Sequence, residues 1–404
     1  MSHFRSALPA ALLALFCFAF LAIKPADAAS PVLEFPERYY LTQAPDLSAK
    51  GEWALDITGF GASWRLHLQE TDRPIRFLSA SQQQSVRESK ARFFTGQVGT
   101  APSNWVRLSS IDGRWSGGFF DGQELYLLES ASAALPQQSI KAGDENHIAV
   151  FRAAELTTSI TIDDGGVLAH QHKHAQKTID DDALEQFIGS LFDKSGQITQ
   201  DIPLTVVTDT EFNAAHGSNV EAVAASRVHF VDGVFTTQLG VGMALAHLEV
   251  LTNNGPLTQT DGGDLLLAFR QFVPAEPDIP FFGLAHLFTG KTGIGSAGLA
   301  YFGSLLCNSS WGYGWNRNLN SDSLSAMVVA HEIGHNLNGQ HDNDNGCGDS
   351  ESIGIMSAVL SSSIPQEFSS CSVAELLPSI AAGSSCLITR EEFNVIFRDR
   401  FEGS

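Results

Sequence analysis

The period of the apolar positions changes along the chain and divides it into two parts. Up to about residue 150, short runs alternate between apolar and polar residues and are separated by Gly, Asn, Asp and Ser turns, a pattern that predicts β-strands. Such runs occupy residues 53–57, 64–68, 92–98, 105–108, 117–120 and 125–128. We therefore predict a β-rich region, in which the carboxylates are scattered and form no catalytic constellation.

From residue 202 onward, strand-like runs alternate with helical runs. The predicted strands are 202–209, 243–251, 285–289 and 296–301, and the predicted helices among them are 219–232 and 264–272. This alternation is typical of an α/β domain with a largely parallel sheet.

The stretch from about 130 to 198 is the best linker candidate, because Ala, Ser, Gln and Asp dominate its composition. It holds one short helical run, 183–192, and the alternating histidines His170, His172 and His174. These histidines have the chemistry to bind a metal, but an exposed His-rich linker accounts for them better.

One further helix is predicted, with Ser321 or Ser323 as its N-cap. A single stripe of this helix carries two apolar residues followed by two histidines: Leu324, Val328, His331 and His335. The face that packs into the core therefore continues into a face that offers imidazoles, which is the arrangement that a rigid buried site requires.

The chemistry of this helix lies in residues 331–335, which have the sequence HEIGH. Two histidines four positions apart lie on the same helical face and can bind one metal ion. Glu332 is placed to take a proton from a water bound to that ion. His341 can join the site only if the chain turns sharply near Asn338 and Gly339. The alternative interpretation is a helix with two solvent-facing histidines.

Residues 1–28 have the features of a signal peptide. Arg5 precedes an apolar run over residues 7–23, and small residues follow at 25–29. No later stretch approaches twenty apolar residues, which is the length that a membrane-spanning helix needs. We therefore predict a secreted protein without a membrane partner.

The charge balance restricts the class of partner. Residues 1–28 contain two of the 24 basic and one of the 45 acidic residues, so the mature chain has a formal charge of −22. Such a surface argues against nucleic acid and against anionic membranes as partners. At about 375 residues the mature chain also exceeds one compact domain, and two domains are expected.

Four of the five cysteines lie in the last quarter of the chain: Cys307, Cys347, Cys371 and Cys386. An even number of cysteines in an exported chain predicts two disulfides, for which three pairings exist. A cysteine-rich metal site is the rival interpretation, but the sequence contains no CxxC pair.

With His341 included, the histidine stretch resembles the metzincin zinc peptidases, whose signature is HExxHxxGxxH followed by a methionine turn. Residues 354–357, with the sequence GIMS, resemble that turn. Residues 200–388 are most similar to the adamalysin/reprolysin group of metzincins, through the HEIGHN-L core, Asp342, residues 368–372, and residues 298–301 followed by Cys307. The resemblance implies an α/β (α+β) catalytic domain with a twisted, mostly parallel sheet and a zinc-site helix.

A looser resemblance covers the β-rich half, which is similar to a reprolysin propeptide at residues 94–98, 106–109 and 118–119. It implies four segments: a signal peptide at 1–28, a β-rich propeptide with linker at 29–198, a zinc metalloprotease domain at 199–388 and a C-terminal tail at 389–404. The tail is either an export or surface-sorting tag or a solvated end.

The implied propeptide lacks one family feature. Many family propeptides keep the enzyme latent by placing a cysteine on the zinc, but no cysteine lies between residues 29 and 306. Latency in a zymogen of this kind would need another ligand, for which Asp163, Asp164 and the histidines of residues 170–174 are candidates.

The chain departs from the metzincin signature at Asn338, where the family has glycine. Glycine serves there because the backbone adopts a positive φ, and asparagine tolerates that conformation at a cost of about 1 kcal/mol. The spacing from His335 to His341 is unchanged, so we expect three-histidine ligation. The alternative third ligands are Asp342, Asp344 and Glu351.

The resemblance assigns roles to the site residues. His331, His335 and His341 would bind one catalytic Zn²⁺, and Glu332 would act as base and then acid in peptide-bond hydrolysis. Met356 would form an apolar floor under the histidines, a role close to that of an ordinary core methionine. Nothing in the sequence supports structural calcium.

The resemblance also implies supporting roles around the site. Asp342 would anchor the chain after the turn, and the strand containing Gly298, Leu299 and Ala300 would hold an extended substrate by β-augmentation. Cys347 would pair with Cys371, and Cys307 with Cys386.

The predicted function is therefore a secreted zinc endopeptidase acting on protein or peptide substrates. A catalytically silent binding module with the metzincin fold is the alternative, although silent relatives usually lose a histidine or the glutamate of the motif, and this chain keeps all four. A zinc protein that stores or senses metal has only the His-rich run in its support.

Overall fold

The computed structural model describes residues 38–47, 53–99, 104–135, 141, 147–153, 160–161, 180–194, 196–319, 321–342, 354–360 and 367–390. The following predicted features lie outside these residues: the signal peptide, Asp163, Asp164, His170, His172, His174, Asp344, Cys347 and Glu351.

The strands are β1 Tyr40–Gln43, β2 Trp53–Gly59, β3 Ala62–Thr71, β4 Arg92–Val98, β5 Trp105–Ile111, β6 Arg114–Phe120, β7 Leu125–Ser130, β8 His147–Arg152, β9 Ile160–Thr161, β10 Gln200–Thr208, β11 Gly242–Val250, β12 Leu284–Thr289, β13 Gly298–Ala300, β14 Tyr313–Arg317, β15 Val359–Leu360 and β16 Ile388–Thr389. The helices are α1 Ala80–Glu88, α2 Ala131–Ala134, α3 Asp181–Ser190, α4 Thr210–His216, α5 Val220–Leu239, α6 Gly262–Ala275, α7 Asp322–Asn336 and α8 Ser370–Ala382. Among the described residues, no helix has the length and hydropathy needed to span a membrane.

The first eight strands form one antiparallel sheet in the order β1-β8-β7-β6-β5-β4-β3-β2. From β2 to β8 each strand pairs with the next one along the chain, and β1 pairs with β8. β8 lies inside the stretch for which a linker was predicted, so that prediction is wrong for residues 147–152. The apolar run 148–151 is only four residues long, and the polar composition around it hides the strand signal.

The second sheet has the order β11-β10-β12-β14-β13. β10 pairs in parallel with β11 and β12, and β12 pairs in parallel with β14, whereas β13 joins β14 antiparallel at one edge. Apolar residues of α5 and α7 share one core with one face of this sheet, and α6 packs on the other face. The mixed α/β content agrees with the prediction from the sequence.

Helix α5 contacts both sheets and ends seven residues later than predicted. It continues through Gly233, where an added Cβ would lie 2.7 Å from the Trp105 ring of β5, and ends at Gly240 with a φ of 66°. Glycine inside a helix weakens the sequence signal for helix. Here its missing side chain lets the first sheet approach the helix.

The C-terminal boundary also differs from the predicted one. β16 pairs antiparallel with the start of β10, and the guanidinium of Arg390 donates to the carboxylate of Asp201 (2.9 Å). Thr389 and Arg390 therefore belong to the domain and not to the tail predicted from residue 389.

The first sheet holds the N-terminus of α7 through a buried carboxylate. Glu129 of β7 accepts hydrogen bonds from Ser321 Oγ (2.7 Å) and the backbone N–H of Ser323 (3.2 Å). Ser323 Oγ also exchanges hydrogen bonds with the backbone of Gly117 in β6. Burial and the nearby charge of Asp322 raise the pKa of Glu129 to about 7, against the effect of its hydrogen bonds.

Replacing Glu129 with glutamine should flatten the pH dependence of stability. Because the pKa of Glu129 is raised in the folded state, the folded chain binds an extra proton between about pH 4.5 and 7, and stability falls as the pH rises through that range. Glutamine keeps an acceptor for Ser321 and carries no charge. We expect Glu129→Gln to gain about 1–3 kcal/mol over wild type at pH 8, and little at pH 4.5.

Thermal unfolding of both proteins across pH 4.5–8 measures this effect. Glu88→Gln, on the exposed face of α1, is the control and should leave the profile unchanged. A Glu129→Gln profile parallel to that of wild type would contradict the prediction.

Candidate metal centre

Helix α7 begins and ends with specific caps that fix its position. At its start the Ser321 side chain accepts a hydrogen bond from the N–H of Leu324 (3.2 Å). Of the two predicted serines, Ser321 is therefore the N-cap, and Asp322 is the first helical residue. The Asp322 carboxylate accepts a hydrogen bond from Arg227 of α5 (2.7 Å). The Arg227 side chain is fully buried, so α5 and α7 are held together at this end.

The end of α7 turns the chain back under the helix. Asn338 has a φ of 71°, the positive value predicted for this position. The N–H of Gly339 donates to the carbonyl of Gly334 (2.9 Å) and that of Asn338 to the carbonyl of His335 (3.0 Å), which together form a Schellman motif. This turn brings His341 beneath the helix.

The three predicted ligands lie together. The imidazoles of His331, His335 and His341 have one ligand atom each within 4.8 Å of one another. The ring centroids are 4.7 Å apart for His331 and His335, 5.4 Å for His331 and His341, and 4.8 Å for His335 and His341. Among the described residues, this is the one such group of three or more His, Cys, Asp or Glu side chains.

Hydrogen bonds on the far side of two rings fix their tautomers. Nδ1 of His331 lies 2.6 Å from the carbonyl oxygen of Ile355, and Nδ1 of His335 lies 2.7 Å from that of Gly339. A carbonyl only accepts, so Nδ1 carries the hydrogen and Nε2 keeps a lone pair. Nε2 of His331 is buried and has no hydrogen-bond partner among the described residues, while Nε2 of His335 lies 3.2 Å from Nε2 of His341.

The electrostatic environment favours the ligand form of these histidines. Burial, together with the neighbouring imidazole of His341, lowers the pKa of His335 to about 3. Burial and the other two rings also lower the pKa of His331 well below its ordinary value. Neutral imidazoles with converging Nε2 lone pairs are a donor set that zinc accepts, and three such ligands leave one coordination position open.

Met356 and Asp342 support the histidines from below. Met356 is fully buried, and its Sδ occupies the space left by the missing side chain of Gly334. The Asp342 carboxylate accepts from Ser369 Oγ (2.6 Å), from Ser372 Oγ (2.7 Å) and from the N–H of Gly354 (2.7 Å). It therefore ties the turn containing Met356 to the start of α8, and it is occupied with anchoring instead of facing the histidines.

Glu332 lies between α7 and the edge strand β13. It is fully buried, and a Cβ added to Gly298 would lie 2.8 Å from its Cγ and Cδ. Gly298, Leu299 and Ala300 form β13, the last strand in the order of its sheet. The strand that was predicted to hold a substrate is thus also the one whose glycine makes room for the predicted base.

The disulfides lie beside this site. Cys307 pairs with Cys386, as predicted, with 5.7 Å between their Cα atoms. Cys371, the second residue of α8, is also disulfide-bonded, while its predicted partner Cys347 lies outside the described residues.

Sequence reasoning missed the polar side chains that lie behind the helix. His286 of β12 and Asn316 of β14 are fully buried on the side of the sheet that faces α7. β14 itself was not predicted, because its sequence, YGWNR, has neither apolar alternation nor a helical period. A histidine between alanine and leucine in a buried strand was the only signal available.

Comparison with known proteins shows similarity over the second half of the chain. Residues 199–386 match Reprolysin_5, described as metallo-peptidase family M12. The chain is 32% identical over 193 residues to zinc metalloproteinase-disintegrin-like atrase-A of Naja atra, covering 45% of this chain and 30% of that protein. It is 29% identical over 205 residues to disintegrin and metalloproteinase domain-containing protein 9 of Homo sapiens, covering 47% and 24%. The chain thus spans less than a third of the length of these two relatives.

A solved structure covers more of the chain at lower similarity. The crystal structure of metalloproteinase-II from Bacteroides fragilis aligns with 82% of this chain and 92% of its own, with a TM-score of 0.47 and 12% identity. The family match and the two relatives confirm the resemblance to reprolysin-type metallopeptidases for residues 199–386. Together with the three histidines, they support a zinc-dependent protease.

Proposed function

We propose that this protein is a secreted zinc endopeptidase that hydrolyses peptide bonds in protein or peptide substrates. The observation that carries the proposal is the convergence of the His331, His335 and His341 imidazoles, two of them with Nδ1 held by a backbone carbonyl. Zinc held by three neutral imidazoles would supply a Lewis acid for a peptide carbonyl and would make water more acidic. The buried Glu332 carboxylate follows His331 directly in α7.

In this proposal Glu332 moves the proton. Its carboxylate accepts the proton of the attacking water and returns it to the nitrogen of the leaving amine, which makes that amine a better leaving group. Its position is fixed by α7 on one side and by the Cβ-free surface of Gly298 on the other. Met356 gives the histidines an apolar floor that does not compete for the metal.

The edge strand β13 would bind the substrate. An extended peptide adds to a sheet edge through backbone hydrogen bonds, and β13 is the terminal strand beside Glu332. A peptide paired with Leu299 and Ala300 would place its scissile bond beside the glutamate. Residues 357–359, which follow Met356, would shape the pocket for one substrate side chain.

We further propose that residues 29–198 are an N-terminal prodomain that restrains the enzyme. β9, from that part, pairs antiparallel with β15, which begins three residues after Met356. A strand paired with β15 would occupy space next to the site that a substrate needs. This supports latency without a cysteine. Residues 1–28 would direct export.

Hydrolysis of casein by the purified chain, after removal of the N-terminal region, tests the zinc dependence of the proposal. We expect a zinc chelator to lower the rate to below one tenth, and stoichiometric Zn²⁺ to restore it, because the three histidines hold one ion. Metal analysis should give one zinc per chain before chelation and less than 0.1 afterwards, as an order-of-magnitude limit. Zinc bound at one per chain without hydrolysis of casein or gelatin would favour the catalytically silent binding module instead.

A further inference from the structure

A buried histidine that takes no part in the proposed chemistry lies behind the zinc-site helix. His286 of β12 is fully buried, and neither ring nitrogen has a hydrogen-bond partner within bonding distance among the described residues. Burial lowers its pKa to about 3, although a weak hydrogen-bonding interaction with the nearby side chain of Asn316, outside standard hydrogen-bond geometry, opposes that effect. The imidazole is therefore neutral and offers one N–H donor and one acceptor.

Asn316 lies on the same face of the sheet, one strand further toward the edge. Its Nδ2 donates to the carbonyl of Arg317 (3.0 Å), which fixes the orientation of the amide. Its Oδ1 is buried and has no hydrogen-bond partner among the described residues. A buried strand normally carries apolar side chains on such a face, and two polar ones with unmet hydrogen-bonding capacity call for an explanation.

A glycine stands opposite each of these two polar residues. In the parallel pair β12–β14, His286 is opposite Gly314, and its ring lies 3.1 to 3.2 Å from where a Cβ of Gly314 would be. In the antiparallel pair β13–β14, Asn316 is opposite Gly298. Residues opposite each other on paired strands point to the same face of the sheet, so each polar side chain shares its face with a glycine, and the His286 ring lies against the space at Gly314.

The space at Gly298 contains the carboxylate of Glu332. A Cβ on Gly298 would overlap Glu332, and Gly298 and Asn316 share one face. His286, Asn316 and Glu332 therefore lie in the same layer between the sheet and α7, and we refer to these three side chains as the polar row. The row runs from the middle of the sheet to the proposed base.

We propose that His286 and Asn316 are positioning residues that hold the Glu332 carboxylate in its catalytic orientation. The proposal rests on the function proposed above. Hydrogen-bond donors beside a buried carboxylate stabilise its charged form and restrict its rotamers, whereas hydrocarbon in the same place disfavours both. The donors that the row offers are the N–H of His286 and the second N–H of the Asn316 amide, since the first is bound to the carbonyl of Arg317. The glycines at 298 and 314 are needed because a side chain at either position would break the row.

Two variants remove the row without touching the metal ligands. His286→Phe keeps a ring of similar size but no polar atom, and Asn316→Ser removes the amide without adding volume. We expect each to lower kcat for a peptide substrate about tenfold. A misplaced Glu332 carboxylate slows the chemical step even when the substrate still binds. KM should stay within about twofold of wild type and the chain should keep one zinc.

Conservative and matched variants separate positioning from stability. His286→Gln, which retains a donor and an acceptor, should recover most of the lost kcat. Phe288→Leu removes volume from the same face of β12, two residues away, and should lower the thermal midpoint with little change in kcat. If His286→Phe does not fold, the comparison rests on Asn316→Ser and His286→Gln.

The outcomes distinguish this proposal from the proposed function. A wild-type chain without chelator-sensitive hydrolysis would overturn the proposed function itself. If the wild type is active but kcat in His286→Phe and Asn316→Ser is no lower than in Phe288→Leu, the positioning role alone is overturned. Loss of zinc in either variant, or a rise in KM that accounts for the whole rate loss, would also overturn it.

Discussion

Replacing Glu332 with glutamine is expected to lower kcat for peptide hydrolysis by a factor of about 10² to 10⁴, the range found for loss of a general base. Glutamine has the same shape as glutamate and fits the space beside Gly298, so the helix and the edge strand should remain in place. The amide cannot accept a proton at neutral pH. The loss should therefore fall on kcat, with KM little changed.

Metal content and an unrelated glutamate provide the controls for this variant. Glu332→Gln should bind one zinc per chain, because Glu332 is not among the three converging ligands. Glu185→Gln, on the exposed surface of α3, should hydrolyse substrate at the wild-type rate. A Glu332→Gln protein that binds zinc and keeps full activity would remove Glu332 from the mechanism and leave the histidine site without its proposed base.

The largest expected effect on stability comes from Asp232, in the middle of α5. Its carboxylate accepts from Arg107 of β5 (3.1 and 2.9 Å) and from Arg390 (2.6 Å), and Arg73 lies 3.4 Å away. Arg73, which follows β3, also binds Asp201 of β10 (2.6 Å), so Arg73 and Arg107 of the N-terminal part meet two buried carboxylates, one in α5 and one in β10. Removing one partner of a buried ion pair leaves charge uncompensated, and we expect Asp232→Asn to cost about 3–5 kcal/mol.

Urea unfolding of Asp232→Asn and of a surface control measures this cost. Asp56→Asn breaks an ion pair with Arg65 in which both side chains are more than 60% exposed, and should cost less than about 1 kcal/mol. Equal losses in the two variants would mean that the buried network contributes no more than a surface pair.

The pH dependence of Asp232 has the opposite sign to that of Glu129. Although burial raises its pKa, the charges of Arg390, Arg73 and Arg107 lower it well below its ordinary value. Its stabilisation is therefore present above the ordinary pKa of an aspartate and is lost as the pH falls. The loss of stability in Asp232→Asn should accordingly shrink as the pH is lowered toward 3.

The zinc-site helix shows how far one sequence motif can be taken. His331 and His335 are four positions apart in a helix, and this spacing puts both imidazoles on one face. The helical period alone sets that geometry, so it does not depend on the rest of the fold. The positive φ of Asn338 followed from its place in the motif, and the residue type allowed it. Local rules were sufficient here because each contact joins residues close together in the chain.

The long-range contacts followed no such rule. Glu129 caps a helix almost two hundred residues away, and Asp232 of α5 binds Arg107 of the first sheet. β8 and β14 were missed because their strand signals are short or interrupted by polar residues, and it is pairing with neighbouring strands that makes them strands.

By itself, the sequence determined the three candidate ligands, the adjacent glutamate, the turn that brings in His341 and the alternation of strands and helices after residue 200. These features depend on spacing and on local backbone preference. Only the tertiary structure decided which polar residues lie beside Glu332 and which charges join the two sheets. Those contacts depend on strand order and register, which place Asn316 opposite Gly298 and His286 opposite Gly314. No spacing along the chain encodes which strands become neighbours, because long connections separate them in sequence.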